Sequence, residues 1–120
     1  MSSMIFKVEP GTTDRYVVWS TTTDSPIAVG SRVDMLRWLQ PPVGDLDPTR
    51  ASALMAWVDE TGTSEWEGRG GWEDPDPIPV GELSPGDGWY QMSRGNLPVL
   101  VDAIAAGDRE AIYQMLVRYA

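Results

Sequence analysis

The chain has 120 residues and a formal net charge of −9, and it contains neither cysteine nor histidine. Those two absences exclude disulfide frameworks, thiol nucleophiles, iron–sulfur clusters and any Ser-His-Asp or Cys-His mechanism, and they remove the commonest general base and transition-metal ligand. Hydrophobic residues at 42% and charged residues at 22% fit a globular chain, the length suits one domain over 1–120, and no apolar run nears the ~18 residues that would cross a bilayer.

The opening MSSMIFKVEP carries no basic flank followed by a long apolar stretch, so no secretory signal is visible and a cytoplasmic location is expected. Residues 4–9 read as a strand, and Pro10-Gly11 opens a turn. Arg15 to Ser20 is β-branched and aromatic, the strongest strand signal in the chain. The short link predicts an antiparallel hairpin, with a third strand over 26–29. Ser31 then caps a helix that must stop before Pro41-Pro42, with Asp34 completing an imperfect capping box. A second helix starts at Asp47-Pro48, runs through Ala51, Leu54, Met55 and Val58 at helical spacing, and ends at Gly62.

Residues 62–88 hold seven glycines, four prolines, Trp66 and Trp72, and show no period. So long a structureless connection is unusual in a compact domain, and it is expected to hold function rather than fold. Beyond it, 89–93 reads as a short strand able to become the fourth of the sheet. A helix follows from Leu97 to Ala106, with Asn96 as its cap. A last helix begins at Asp108 and carries the apolar stripe Ala111, Ile112, Met115, Leu116 and Tyr119. The fold class expected is α+β: a three- to four-stranded antiparallel sheet on about four helices, with a long acidic Gly/Pro/Trp-rich loop. Leu36, Leu54, Val58, Ile112 and Leu116 are the expected core.

The charge is concentrated. Between Asp59 and Gly88 lie nine acidic residues against Arg69 alone, so this stretch carries −8 while the rest of the chain is nearly neutral. Direct nucleic-acid binding is disfavoured, because phosphate neutralisation needs clustered Lys and Arg. A protein with a basic surface is the natural complement, and a homo-oligomer is left open. The plain alternative is a solvated loop that keeps the protein soluble.

The block RYVVWSTTTDSPIAVGSRVDMLRWL (15–39) resembles small acidic proteins of actinobacteria and their phages, in which a similar stretch precedes a helix. The resemblance covers about a fifth of the chain and implies a source class. It carries no catalytic residue.

Of the six tryptophans, Trp19, Trp38 and Trp57 fall at apolar positions of regular elements and are expected in the core. Trp66 and Trp72 lie among glycines and carboxylates. Either they pin the loop back onto the body, or they anchor a partner, as exposed tryptophans at binding hot spots do. The candidate partner-binding residues are therefore Glu65, Trp66, Glu67, Trp72, Glu73, Asp74 and Asp76. Trp66, Trp72, Trp89 and Tyr90 beside carboxylates would also suit a sugar platform. The acid pairs Glu65/Glu67 and Glu73/Asp76 would suit glycoside hydrolysis, and Glu73 to Asp76 would offer oxygens to calcium without the order of a known loop. The leading expectation is a non-enzymatic protein-binding module, a small regulator or phage-type inhibitor with no cofactor. The alternative is a small enzyme or carbohydrate-binding module using the same loop.

Overall fold

The computed structural model describes residues 3–81 and 86–119. The expected hairpin forms from β1 (Ser3–Lys7) and β2 (Tyr16–Ser20), antiparallel, with Phe6 opposite Val17 and Ile5 opposite Val18. β3 (Ser25–Gly30) joins the other side of β2 through a bulge between Val18 and Trp19. α1 (Arg32–Leu39) begins with a reciprocal cap: the Asp34 amide donates to Ser31 Oγ at 3.2 Å, and the Ser31 amide donates to Asp34 Oδ2 at 2.9 Å. An aspartate thus does the work usually left to a glutamate, and both orphan amides are satisfied. α2 (Pro48–Thr61) starts where Asp47 Oδ1 accepts from the Arg50 amide at 2.8 Å, and ends at Gly62, whose φ of 85° is the left-handed conformation that favours glycine.

β1 and β2 form the middle layer. Alternate side chains point to opposite faces of a strand, and here both faces are covered. Met4, Phe6, Val8, Val17 and Trp19 pack on one side with residues of the C-terminal half, among them Ile78, Met92, Leu97 and Leu100. Ile5, Tyr16 and Val18 pack on the other side with Met35 of α1 and Met55 and Val58 of α2. This two-sided burial is why YVVWS reads as an unbroken apolar run rather than an alternating one, and all five of its residues are buried.

The expected three-stranded antiparallel sheet thus forms as β1-β2-β3, and a second antiparallel sheet of three accompanies it. β4 (Ile78–Val80), β5 (Tyr90–Met92) and β6 (Val117–Arg118) make the second, with β5 in the middle. Residues 90–92 therefore do not extend the first sheet. The Gly81 amide, just past β4, donates to the Asp24 carbonyl at 2.8 Å and ties the second sheet to the β2–β3 turn. The chain reaches α3 (Leu97–Ala106) through a 3₁₀ turn at Arg94–Asn96, and the Asn96 side chain makes no capping bond. α4 (Arg109–Met115) is capped as expected by Asp108, which accepts from the Ala111 amide at 3.1 Å. It ends earlier than its apolar stripe suggested. From Leu116 the backbone is extended, β6 pairs with β5, and the Tyr119 amide donates to the Trp89 carbonyl at 2.8 Å. Pairing with a waiting strand outweighs the weak helix preference of the β-branched Val117.

Among the described residues the architecture is α+β, with two three-stranded sheets and four helices. Of the five expected core residues, Val58 and Ile112 are buried, and Leu36 and Leu116 are half-buried against the two clusters. Leu54 is the exception: it is half-buried and lines a groove on the outer side of α2.

Candidate functional site

Residues 62–88 are not one loop. Past Gly62 the chain turns along the outer edge of β1. The Lys7 amide donates to the Gly62 carbonyl at 3.0 Å, the Ser64 amide to the Ile5 carbonyl at 2.8 Å, and the Ile5 amide to Ser64 Oγ at 2.8 Å. Thr63 pairs with Phe6 and is fully buried, its hydroxyl donating to the Arg69 carbonyl at 2.7 Å. Asp74 closes the next turn, accepting from the Gly70 amide at 2.8 Å and the Asp76 amide at 3.0 Å. Those backbone bonds hold its carboxyl below the usual carboxylate range. The stretch then enters β4. The expectation that it holds function rather than fold is thus corrected for 62–64, 70–72 and 78–80. The part of it that falls on 82–85 lies outside the described residues.

The fastener is Arg94, which sequence reasoning passed over. Its guanidinium donates to the carbonyls of Gly70 (2.9 Å), Gly62 (2.9 Å), Val8 (3.2 Å) and Lys7, and lies over the Trp72 ring at 4.1 Å from the centroid. Burial pulls its pKa down to about 10, so it remains charged at neutral pH. A planar fork with five donors is the side chain able to serve four carbonyls from three segments at once. Its sequence signal was slight: one base shortly after the acidic stretch.

The candidate residues accordingly separate. Trp72 is half-buried beneath Arg94, and Asp74 is occupied with backbone amides. Glu67, Glu73 and Asp74 border one shallow hollow with Arg69, while Asp76 lies on another beside Gln91 and Ser93. Trp66 is different. It is 84% exposed, with one ring face stacked on Trp57 at 5.8 Å between centroids and 23° between planes. Glu65 and Glu67 are its chain neighbours. Behind it, Leu46, Ala53, Leu54 and Trp57 line an open groove of about 470 Å³. Trp57, expected in the core, is half-buried in that groove, and its indole N–H is buried without an acceptor among the described residues. Trp19 is fully buried and Trp38 packs against the α1–α2 side of the sheet, while Trp89 is 64% exposed.

A second polar constellation sits between sheet and helices. Asp59 of α2 accepts from Tyr16 at 2.5 Å, from Lys7 at 3.3 Å and from Arg32 through its other oxygen. Burial pushes the Asp59 carboxyl up, but the bonds from Tyr16 and Lys7 and the charges of Lys7 and Arg32 outweigh it, leaving the carboxyl below its ordinary range. Burial, then the bond to Asp59, push the Tyr16 phenol up to about 12. Both carboxylate oxygens are occupied by the chain's own donors, so the group fastens β1 and β2 to α1 and α2. Its sequence signal was the sole lysine of the chain, Lys7, set in an apolar strand.

Among the described residues no group of three or more carboxylates converges as a metal site, and no helix is long and apolar enough to cross a membrane. No protein-family model matches the chain, and neither does any curated protein or solved structure.

Proposed function

We propose that the chain is a non-enzymatic protein-binding module, a small regulator or inhibitor, that engages a basic partner surface through Trp66 and the carboxylates around it. The observation that carries this reading is the 84% exposure of Trp66 on a platform the fold itself supplies, stacked on Trp57 between Glu65 and Glu67. A large indole presented to water with its rotation restricted gives contact area at small ordering cost, the usual property of an interface anchor. The exposed Glu67, Glu73 and Asp76 add the negative field that draws in a basic partner. Trp72 and Asp74 serve the same surface by fixing the turns that carry it.

The test is affinity capture with the wild-type protein, Trp66→Ala and the Glu65→Lys, Glu67→Lys pair as parallel baits across a salt series. A protein retained by the wild type, lost with Trp66→Ala and progressively released by salt supports the reading. Equal retention by all three baits overturns it, and a saturable glycan ligand that requires the same residues would favour a carbohydrate-binding module instead.

A further inference from the structure

α2 buries Ala51, Met55 and Val58, so the rest of its surface should be polar where it faces water. Instead an apolar strip runs from Leu54, on the shoulder of the buried face, through Trp57 to Ala53, and Leu46 and Trp66 close these into the groove described above. From Arg50 to Trp57 the groove follows α2 for roughly 10 Å, two helical turns. The charge around it is unequal. Glu65 and Glu67 are the chain neighbours of Trp66, whereas the one base lining the groove among the described residues, Arg50, is already paired with Asp47 at 3.7 Å. The chain also contains a worked example of what an indole beside a base does here: Trp72 has Arg94 over its face at 4.1 Å, while Trp66 stacks on Trp57 and is otherwise largely exposed.

We propose that this surface takes an arginine-bearing amphipathic segment of a partner protein, its guanidinium stacked on Trp66 between Glu65 and Glu67 and its apolar side chains in the groove formed by Leu46, Ala53, Leu54 and Trp57. The proposal rests on the protein-binding reading above and specifies the partner's chemistry. Arginine suits the site better than lysine, because a planar guanidinium both stacks on an indole and presents a fork of donors to carboxylates. Two turns of groove accommodate two apolar residues spaced one turn apart, the pattern by which a helix lays its apolar face into a groove.

The experiment titrates the ¹⁵N-labelled protein with a blocked helical peptide carrying one arginine and two leucines a turn apart, following the indole N–H signals of Trp57 and Trp66. Three further peptides replace the arginine by lysine, the arginine by uncharged citrulline, or both leucines by alanine. Saturable shifts at both indoles are expected, weakened about tenfold by citrulline and less by lysine. Trp66→Ala should weaken binding about thirtyfold while leaving the buried Trp19 signal in place, which shows the fold intact. Equal affinity for the arginine and citrulline peptides overturns the proposal, as does binding indifferent to Trp66→Ala or no saturable shift with any peptide. A captured partner that depends on Trp66 but binds without an arginine would remove this inference and leave the protein-binding reading standing.

Discussion

Replacing Arg94 by methionine keeps much of the side-chain volume and removes the guanidinium bonds to four carbonyls, those of Lys7, Val8, Gly62 and Gly70. At about 1 kcal/mol net for each bond, with part of that offset because a charge is no longer desolvated, the loss comes to about 3 kcal/mol. The indole of Trp72 also loses its cation. For a chain of this size that should lower the thermal midpoint by roughly 10 °C, read by circular dichroism and checked by urea unfolding at neutral pH. Arg94→Lys should recover less than half, because one ammonium cannot reach carbonyls contributed by three segments. A loss below about 0.5 kcal/mol for Arg94→Met would refute the reasoning and mean that 62–72 docks through other contacts.

Gly70 and Gly68 both adopt positive φ, 79° and 84°, but a Cβ at Gly70 would run into the Phe6 ring while one at Gly68 meets open space. Gly70→Ala should therefore cost more than Gly68→Ala, for which only the ~1–2 kcal/mol of left-handed strain remains; equal losses in urea unfolding would contradict the packing described. Met55→Ala, at a fully buried site, should cost about 2–5 kcal/mol, while Leu54→Ala on the open groove should cost under about 1 kcal/mol, the reverse ranking being the disproof. Tyr16 should titrate near pH 12, seen as the ultraviolet component missing from Tyr16→Phe; since its folded pKa is raised, its contribution to stability is present below pH 10 and lost as pH rises from there through 12. For Asp59 the sign is opposite: its folded pKa is lowered, so its contribution is present above the ordinary carboxylate range and lost as pH falls through it, and Asp59→Asn should flatten that part of an acid-unfolding profile.

Local signals in the sequence were reliable where local chemistry decides the outcome. Ser31, Asp47, Gly62, Gly107 and Asp108 each set a helix end through groups within a few residues, and the β1–β2 hairpin needed only a short turn between two apolar runs. What was not legible depends on distant partners. β6 exists because β5 lies beside it, although Leu116 and Tyr119 continue a helical stripe in sequence. Leu54 shares the helical spacing of Met55 and Val58, yet it sits on the shoulder of that face, where the groove begins. The site was half legible. Composition set Trp66 and Trp72 apart from the other tryptophans, but their separate fates follow from Arg94, two dozen residues from the Gly70 carbonyl it binds. The aperiodic glycines of 62–72 signalled close backbone approach as much as freedom: Gly70 leaves room for Phe6, and Gly71 lies against Thr61 and Thr63.

The lodging of 62–64 against β1 divides that strand's amides into two groups. Ile5 and Lys7 donate outward to Ser64 and Gly62, whereas by strand alternation Met4 and Phe6 donate inward to β2. Hydrogen exchange at the outward pair requires only that the segment lift away, while exchange at the inward pair requires the sheet itself to open. Neighbouring amides on one strand thus report two different opening reactions, and the smaller one is governed by a guanidinium contributed from beyond the second sheet's central strand. Because 62–64 also occupies the backbone groups of β1 that would otherwise face solvent, each such opening briefly exposes a bare strand edge, so the lifetime of this small latch sets how often the protein offers one to its neighbours.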